Sequence, residues 1–216
     1  MKEESRQQEK TFSGENLSLA SSYPAWLEKV LASMALRIVE GDRGDLTVIT
    51  GRSHLLNLLR FLRDHTNTQY KVLVDITAVD YPQREKRFEV VYLLLSVRYS
   101  SRITVKLSVD PFEGLPTATD LFKSANWFER EVWDMFGVFF HQHPDLRRLL
   151  TDYGFEGHPL RKDFPLTGYT EVRYDEEKKR VVCEPLETAQ EFRAFDFQSP
   201  WDQKVDPKLL APKLTK

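Results

Sequence analysis

Residues 70–109 read YKVLVDITAVDYPQREKRFEVVYLLLSVRYSSRITVKLSV. Near the start of this stretch Tyr70, Val72, Val74 and Ile76 alternate with Lys71, Leu73 and Asp75. Near its end Ile103, Val105, Leu107 and Val109 alternate with Arg102, Thr104, Lys106 and Ser108. Alternation of period two puts successive side chains on opposite faces of a strand, so both runs predict strands, the second one half-buried. Between them Phe88 to Val97 is a richer apolar run, as a central strand requires. Arg98-Tyr99-Ser100-Ser101 supplies the hairpin turn that joins the last two strands.

Moving outward from these strands, the spacing changes to a helical one. Leu55, Leu58, Leu59 and Leu62 stand at i, i+3, i+4 and i+7, an apolar stripe that must face a core. Leu46 to Thr50 predicts a short strand ahead of it. Further upstream Leu27, Val30, Leu31, Met34 and Ile38 predict a helix, opened by Pro24 behind a cap at Ser22 or Tyr23 and stopped by Gly41. Downstream, Pro111, Gly114 and Pro116 end the last strand, and a helical segment is expected from about Thr117 to Phe136, with a break near Asn126. The order α-β-α-β-β-β-α predicts an α+β fold: a small, mostly antiparallel sheet packed with helices, followed by a long irregular C-terminal arm. The expected divisions are a polar N-terminal segment at 1–22, an α+β domain at 23–140 and an extended Pro-rich arm at 141–216.

Composition narrows the function. The chain has 216 residues, with 31 basic and 33 acidic side chains and a net charge of −2. That balance argues against a nucleic-acid binder, which concentrates basic charge on one face. A single cysteine, Cys183, excludes an intrachain disulfide, a zinc site needing several cysteines, and an all-cysteine iron–sulfur cluster held by this chain alone. Cys183 itself sits in a predicted strand, Arg180 to Glu184, where a buried, inert thiol is the expectation. The longest apolar run, Val90 to Val97, is far short of the roughly 20 residues that span a bilayer, so no direct membrane span is expected.

The C-terminal part has a different character. Seven of the 11 prolines fall between residues 144 and 216, and periodic patterns mostly vanish. Yet Phe155, Phe164, Tyr169, Tyr174, Phe192, Phe195, Phe197 and Trp201 are too many aromatics for a solvated linker. Such a segment cannot offset its ordering entropy with local contacts, which suggests an arm wrapping a partner subunit. A loop-rich second domain packed on the first is the other reading.

The densest candidate chemistry lies in Asn126 to Phe136. Val132, Met135, Phe136 and Phe139 share a helical face, while Glu131 and Asp134 could face one way as paired carboxylates, for acid–base work or a metal. The structural alternative is an ion-paired helix in which Arg130 reaches Asp134 at i+4. His141, His143, Asp145 and His158 offer a metal set, and an independent metal-dependent hydrolase would build its site from Glu131, Asp134, His141 and His143. They match no zinc-hydrolase spacing, and His143-Pro144 and His158-Pro159 read as turn chemistry.

Glu129-Arg130-Glu131-Val132-Trp133-Asp134-Met135-Phe136-Gly137, then His143-Pro144-Asp145-Leu146-Arg147-Arg148-Leu149-Leu150, resembles the signature of the thirty-kilodalton subunit family of respiratory complex I, the NADH:ubiquinone oxidoreductase. The resemblance continues from Thr151 through Leu166, including His158-Pro159-Leu160-Arg161-Lys162-Asp163-Phe164-Pro165. It goes on through Gly168-Tyr169, Glu171 to Asp175, Glu184-Pro185 and Ser199-Pro200-Trp201. Upstream it takes in Leu73 to Tyr81 and Arg87 to Tyr92. It covers roughly residues 54–202 and is closer to the mitochondrial branch than the bacterial one.

The resemblance implies a structural and assembly subunit of the peripheral, quinone-reducing module, on the matrix side of the mitochondrial inner membrane, or on the bacterial cytoplasmic membrane as the alternative. Its partners would be the forty-nine-kilodalton subunit and neighbouring iron–sulfur subunits, with no nucleic acid. The whole complex uses FMN, iron–sulfur clusters, NADH and ubiquinone. This chain would bind no cofactor, hold no metal and have no catalytic residue, and in isolation it would be inactive. A soluble adaptor in another assembly is the remaining alternative. The residues expected to matter are therefore interfacial or structural. Glu129, Arg130, Glu131 and Asp134 would form a buried or half-buried charge network, whose disruption costs about 3–5 kcal/mol where buried. His143 would shape a turn. Arg147, Arg148, Arg161 and Lys162 would pair with carboxylates. Phe155, Phe164, Tyr169 and Trp201 would be anchors. Truncation after Phe140 is expected to leave a foldable domain that fails to join the complex.

Overall fold

The structure is a computed structural model that describes residues 23–41, 44–193 and 195. The segment 1–22 and Trp201 lie outside the described residues. Helix α1 covers residues 23–31, followed by β1 (Ala35–Glu40) and β2 (Leu46–Thr50). A 3-10 turn at Arg52–His54 leads into α2 (Leu55–Asp64), and the strands β3 (Val72–Asp80), β4 (Phe88–Ser96) and β5 (Ser101–Val109) follow. The short strand β6 (Leu115–Pro116), helix α3 (Ala125–Phe136) and β7 (Phe140–His141) complete this part.

The five long strands form one sheet in the order β1-β2-β5-β4-β3, with β2 and β5 parallel and the other neighbours antiparallel. The fold is thus α+β, as expected. Alternation does the sorting: Ile103, Val105, Leu107 and Val109 are buried on one face of β5, and Tyr92 and Leu94 lie in the same core from β4. The helical stripe Leu55, Leu58, Leu59 and Leu62 is wholly buried, as its spacing requires. Each such side chain contributes about 1.5–3 kcal/mol when removed from water.

Two expected helices are shorter than their periods suggest. The first ends at residue 31, where Met34 N–H bonds to Leu31 C=O at 2.8 Å and the Thr50 hydroxyl bonds to Met34 C=O at 2.8 Å. Ile38 fits a helical spacing, but it sits in β1, opposite Val48 of β2. Pairing with a neighbouring strand outweighs local period here, and the β-branched Ile38-Val39 pair suits a strand. The other is α3, which starts at Ala125 and not near Thr117. Thr117 to Ser124 forms turns instead, because Ala118 N–H is taken by the Glu129 carboxylate at 2.7 Å. The strands β6 and β7, which no pattern announced, pair Leu115 with Phe140 and so return the chain beside α3.

The chain divides into two compact units between Gly168 and Tyr169. Residues 143–165 carry no helix or strand, yet they belong with the sheet, and Leu146 packs against the core. The second unit contains the hairpin of β8 (Thr170–Asp175) and β9 (Arg180–Pro185), pinned by Arg173 on Glu184 at 2.6 Å. Val172, Tyr174 and Val181 are exposed on this hairpin. Cys183 lies on β9 as expected but is exposed, since a two-stranded ribbon has no interior to bury it.

Candidate functional site

Helix α3 turns charged side chains inward. Glu129, Arg130 and Asp134 are buried with Val132 and Phe136, whereas Glu131 faces solvent. Glu131 and Asp134 therefore do not face one way. The expected i, i+4 pair of Arg130 with Asp134 is replaced by contacts to the loop at 143–165. Phe139 lies beyond the helix, which Gly137 ends in the left-handed conformation at φ 78°. A Cβ at Gly137 would run into the Arg161 guanidinium and the His158 ring, so this close approach needs glycine.

Asp134 is the centre of a clasp. Its Oδ2 accepts the backbone N–H groups of Leu149, Leu150 and Thr151 at 3.1, 2.8 and 3.0 Å. Its Oδ1 accepts the Thr151 hydroxyl at 2.8 Å and Arg148 at 3.1 Å. Burial pushes this carboxyl up, but the hydrogen bonds from Thr151, Leu150 and Leu149 outweigh it and hold the carboxyl down at about 2. One carboxylate thus orders a loop that has no ladder of its own. Arg148 also donates to Gly157 C=O at 2.9 Å, and Arg130 donates to the carbonyls of Arg147 and Arg148 at 3.2 and 3.3 Å.

The loop in turn caps the helix. The last carbonyls of an α-helix lack intrahelical partners. Here Asp134 C=O meets His158 Nδ1 at 2.9 Å, Met135 C=O accepts Leu160 N–H at 3.1 Å, and Phe136 C=O accepts Arg161 Nε at 2.6 Å. A guanidinium at the negative end of the helix dipole is favourably placed. Next to it Arg87 forks onto buried Asp80 at 2.7 and 2.8 Å and reaches Asp163 at 2.9 Å, while Lys162 N–H donates to Asp80 at 2.8 Å. The Arg87 contact, more than the backbone N–H, holds the Asp80 carboxyl below its ordinary range against the effect of burial. These bonds tie the hairpin end of β3 and β4 to the loop.

The family model described as "Respiratory-chain NADH dehydrogenase, 30 Kd subunit" matches residues 48–170, from within β2 to the first residue of β8. The chain belongs to this family. Similar proteins include NADH-ubiquinone oxidoreductase subunit 9 of Reclinomonas americana, 56% identical over 187 residues and 87% of each chain. The subunit 9 of Prototheca wickerhamii is 63% identical over 168 residues, 78% of this chain and 88% of that one. NADH dehydrogenase (ubiquinone) iron-sulfur protein 3 of Solanum tuberosum is 58% identical over 181 residues, 84% of this chain and 90% of that one. Among solved structures, a chain of the membrane-bound sulfane sulfur reductase, an archaeal respiratory membrane complex, has a TM-score of 0.54 and 28% identity, covering 71% of this chain and 86% of that one.

In this member of the family the residues singled out by sequence go to several places. Glu129, Arg130, Asp134, Arg148 and Arg161 gather around α3, and the Phe155 ring lies tilted against that of Phe164 at 5.8 Å between centroids. Arg147 pairs with Asp145 in solvent, and Lys162 enters the clasp through its backbone alone. Tyr169 belongs to the second unit. His143 is buried, bonded to Asn126 C=O at 3.2 Å. His141 packs on Phe139, and His158 lies on Asp134 C=O. Among the described residues no three His, Cys, Asp or Glu side chains stand together as metal ligands would. Sequence reading missed Asp80, Arg87, Thr117, Thr151 and Asp163 as working residues. Asp80, Arg87, Thr151 and Asp163 were inside the quoted resemblance, which was their one signal, and Thr117 had none.

Proposed function

We propose that this subunit of the respiratory-chain NADH dehydrogenase is structural: it folds and places neighbouring subunits and carries no redox centre. The observation that carries this reading is the clasp. The charged groups that could have served acid–base chemistry, Asp134, Arg148, His158 and Arg161, end on the chain's own backbone and on one another. A group so committed holds shape. The relatives named iron-sulfur protein 3 belong to an iron–sulfur enzyme, but one cysteine, exposed on β9, falls short of the set a cluster needs.

The exposed Leu150, Tyr153, Leu160 and Leu166 in the first unit, and Tyr169, Val172, Tyr174 and Val181 in the second, supply apolar surface for docking. The partners in this reading are the forty-nine-kilodalton subunit and neighbouring iron–sulfur subunits, in the quinone-reducing module on the matrix side of the mitochondrial inner membrane. No described helix is long and apolar enough to cross a membrane. FMN, the clusters, NADH and ubiquinone belong to the rest of the complex.

The test is native purification through a tag on this chain, with partner identification, NADH:quinone activity and iron analysis of the chain alone. Co-purification with an active enzyme, and an iron-free, inactive isolated chain, is the expected result. Stoichiometric iron or turnover in the isolated chain would overturn the reading. A cut to locate the docking arm belongs after Gly168, because a cut after Phe140 would strip α3 of its loop.

A further inference from the structure

Glu129 is a buried carboxyl that the clasp does not use. It has no exposed surface. Its Oε1 accepts Ala118 N–H at 2.7 Å and its Oε2 meets the Thr117 hydroxyl at 2.5 Å. Among the described residues the basic group facing it is His143 of the loop, with Nε2 at 3.8 Å from Oε2. The Nδ1 of His143 accepts Asp145 N–H at 3.1 Å, which puts the ring's hydrogen on Nε2, where it is donated to Asn126 C=O at 3.2 Å. His143 therefore supplies no countercharge in this arrangement. From β4, Tyr92 is fully buried, its hydroxyl has no hydrogen-bond partner, and it stands within the field of Glu129. The turn at 117–119 contributes hydroxyls and backbone N–H groups but no charge, with Thr117 Oγ1 at 3.0 Å from Thr119 Oγ1 and 3.2 Å from Thr119 N.

We propose that Glu129 is a proton-holding site, which keeps its carboxyl hydrogen at the Thr117 contact in the folded chain and, on losing it, loosens the join between the 117–119 turn, His143 and α3. The short Thr117 contact accommodates either form. With the acid protonated, its O–H donates to Thr117 Oγ1, and the Thr117 hydroxyl turns to Thr119. On ionisation the proton passes to solvent and the carboxylate is left buried, with the Tyr92 hydroxyl the available new donor. An unpaired carboxylate in a buried site is costly, so the chain keeps the neutral form or opens the site.

The electrostatics agree with this geometry. Burial pushes the Glu129 carboxyl up to about 7, against the opposing hydrogen bonds from Thr117 and Ala118. Below its ordinary value of 4.5 the group is protonated whether the chain is folded or not. As pH rises from there, the unfolded chain releases the proton and the folded chain holds it, so stability falls until about 7 and then levels. The effect on the unfolding equilibrium is on the order of a hundredfold, tenfold for each unit of displacement.

The experiment is a carbon-13 titration of the Glu side-chain carboxyls in the full chain, with urea unfolding at each pH, for the natural sequence, Glu129→Gln and Tyr92→Phe. The proposal expects one carboxyl titrating near 7, absent in Glu129→Gln, and a loss of about a hundredfold pH dependence in that variant. Tyr92→Phe removes the donor available to the ionised form and should raise the midpoint. A merely structural Glu129 would lower stability equally at all pH values in Glu129→Gln, and that result overturns the proposal. So does a midpoint near the ordinary value. If Glu129→Gln does not fold, the titration of the natural chain and of Tyr92→Phe decides: no carboxyl near 7, or no shift in Tyr92→Phe, rejects it.

Discussion

The strands β3–β5 and the loop at 143–165 lie in one compact unit and are held by opposite kinds of interaction. The strands bury Ile76, Val90, Tyr92, Leu94, Ile103, Val105 and Leu107, and their backbone bonds follow regular ladders. The loop exposes Leu150, Tyr153 and Leu160 and depends on Asp134, Arg130, His158, Arg161 and Asp80 for its shape. Apolar burial is spread over many contacts and tolerates similar replacements. A polar clasp is directional, and removing one member strands several others. The sheet is therefore robust by redundancy and the loop is specified by a few atoms.

Asp134→Ala should produce the largest effect. It leaves three backbone N–H groups, a hydroxyl and Arg148 without their acceptor, at about 3–5 kcal/mol. Hydrogen exchange should show protection lost first at Leu149 to Thr151. If the sheet amides lost protection before the loop, the contrast would fail. Leu94→Ala should cost about 2–5 kcal/mol and lower the protection of β3, β4 and β5 together, since a core cavity acts on the whole cooperative unit. A loss confined to one strand would count against that.

Acidification should open the clasp before the core. The Asp134 carboxyl is held at about 2 in the folded chain against an ordinary 3.8, so its stabilisation is complete above 3.8 and is lost as pH falls toward 2. It amounts to about 2 kcal/mol, from 1.36 kcal/mol per unit. Amide exchange at Leu150, followed through this window, should report the loss. The smallest effect belongs to Arg147→Ala. Its side chain and Asp145 are exposed, and the clasp uses only its carbonyl. Thermal unfolding should not shift measurably, and a clear shift would mean that the side chain has a role in the clasp.

Much of the fold was legible because burial leaves a period. The alternation at 101–109 and the leucines of α2 each place one face in the core, and both elements stand where their patterns put them. The charged signature was legible as a cluster, whereas Gly137 as the helix stop came only with the structure. What Asp134 binds was not legible. Its partners at 148–151 lie a loop away in sequence, and nothing periodic links them. The nearer candidate, Arg130, spends its donors on carbonyls of the same loop.

By itself, then, the sequence determined strands β2 to β5 of the sheet, the second helix, the α+β class and membership in the family, because apolar periodicity and a long shared signature are local properties of the chain. Tertiary structure alone decided that residues 35–40 pair as a strand, that the 117–124 stretch forms turns, and that burial pushes one carboxyl of α3 up while converging donors hold the other down. Those outcomes depend on which distant donors reach a given atom, and hydrogen bonds and desolvation are fixed only once the chain has closed around them.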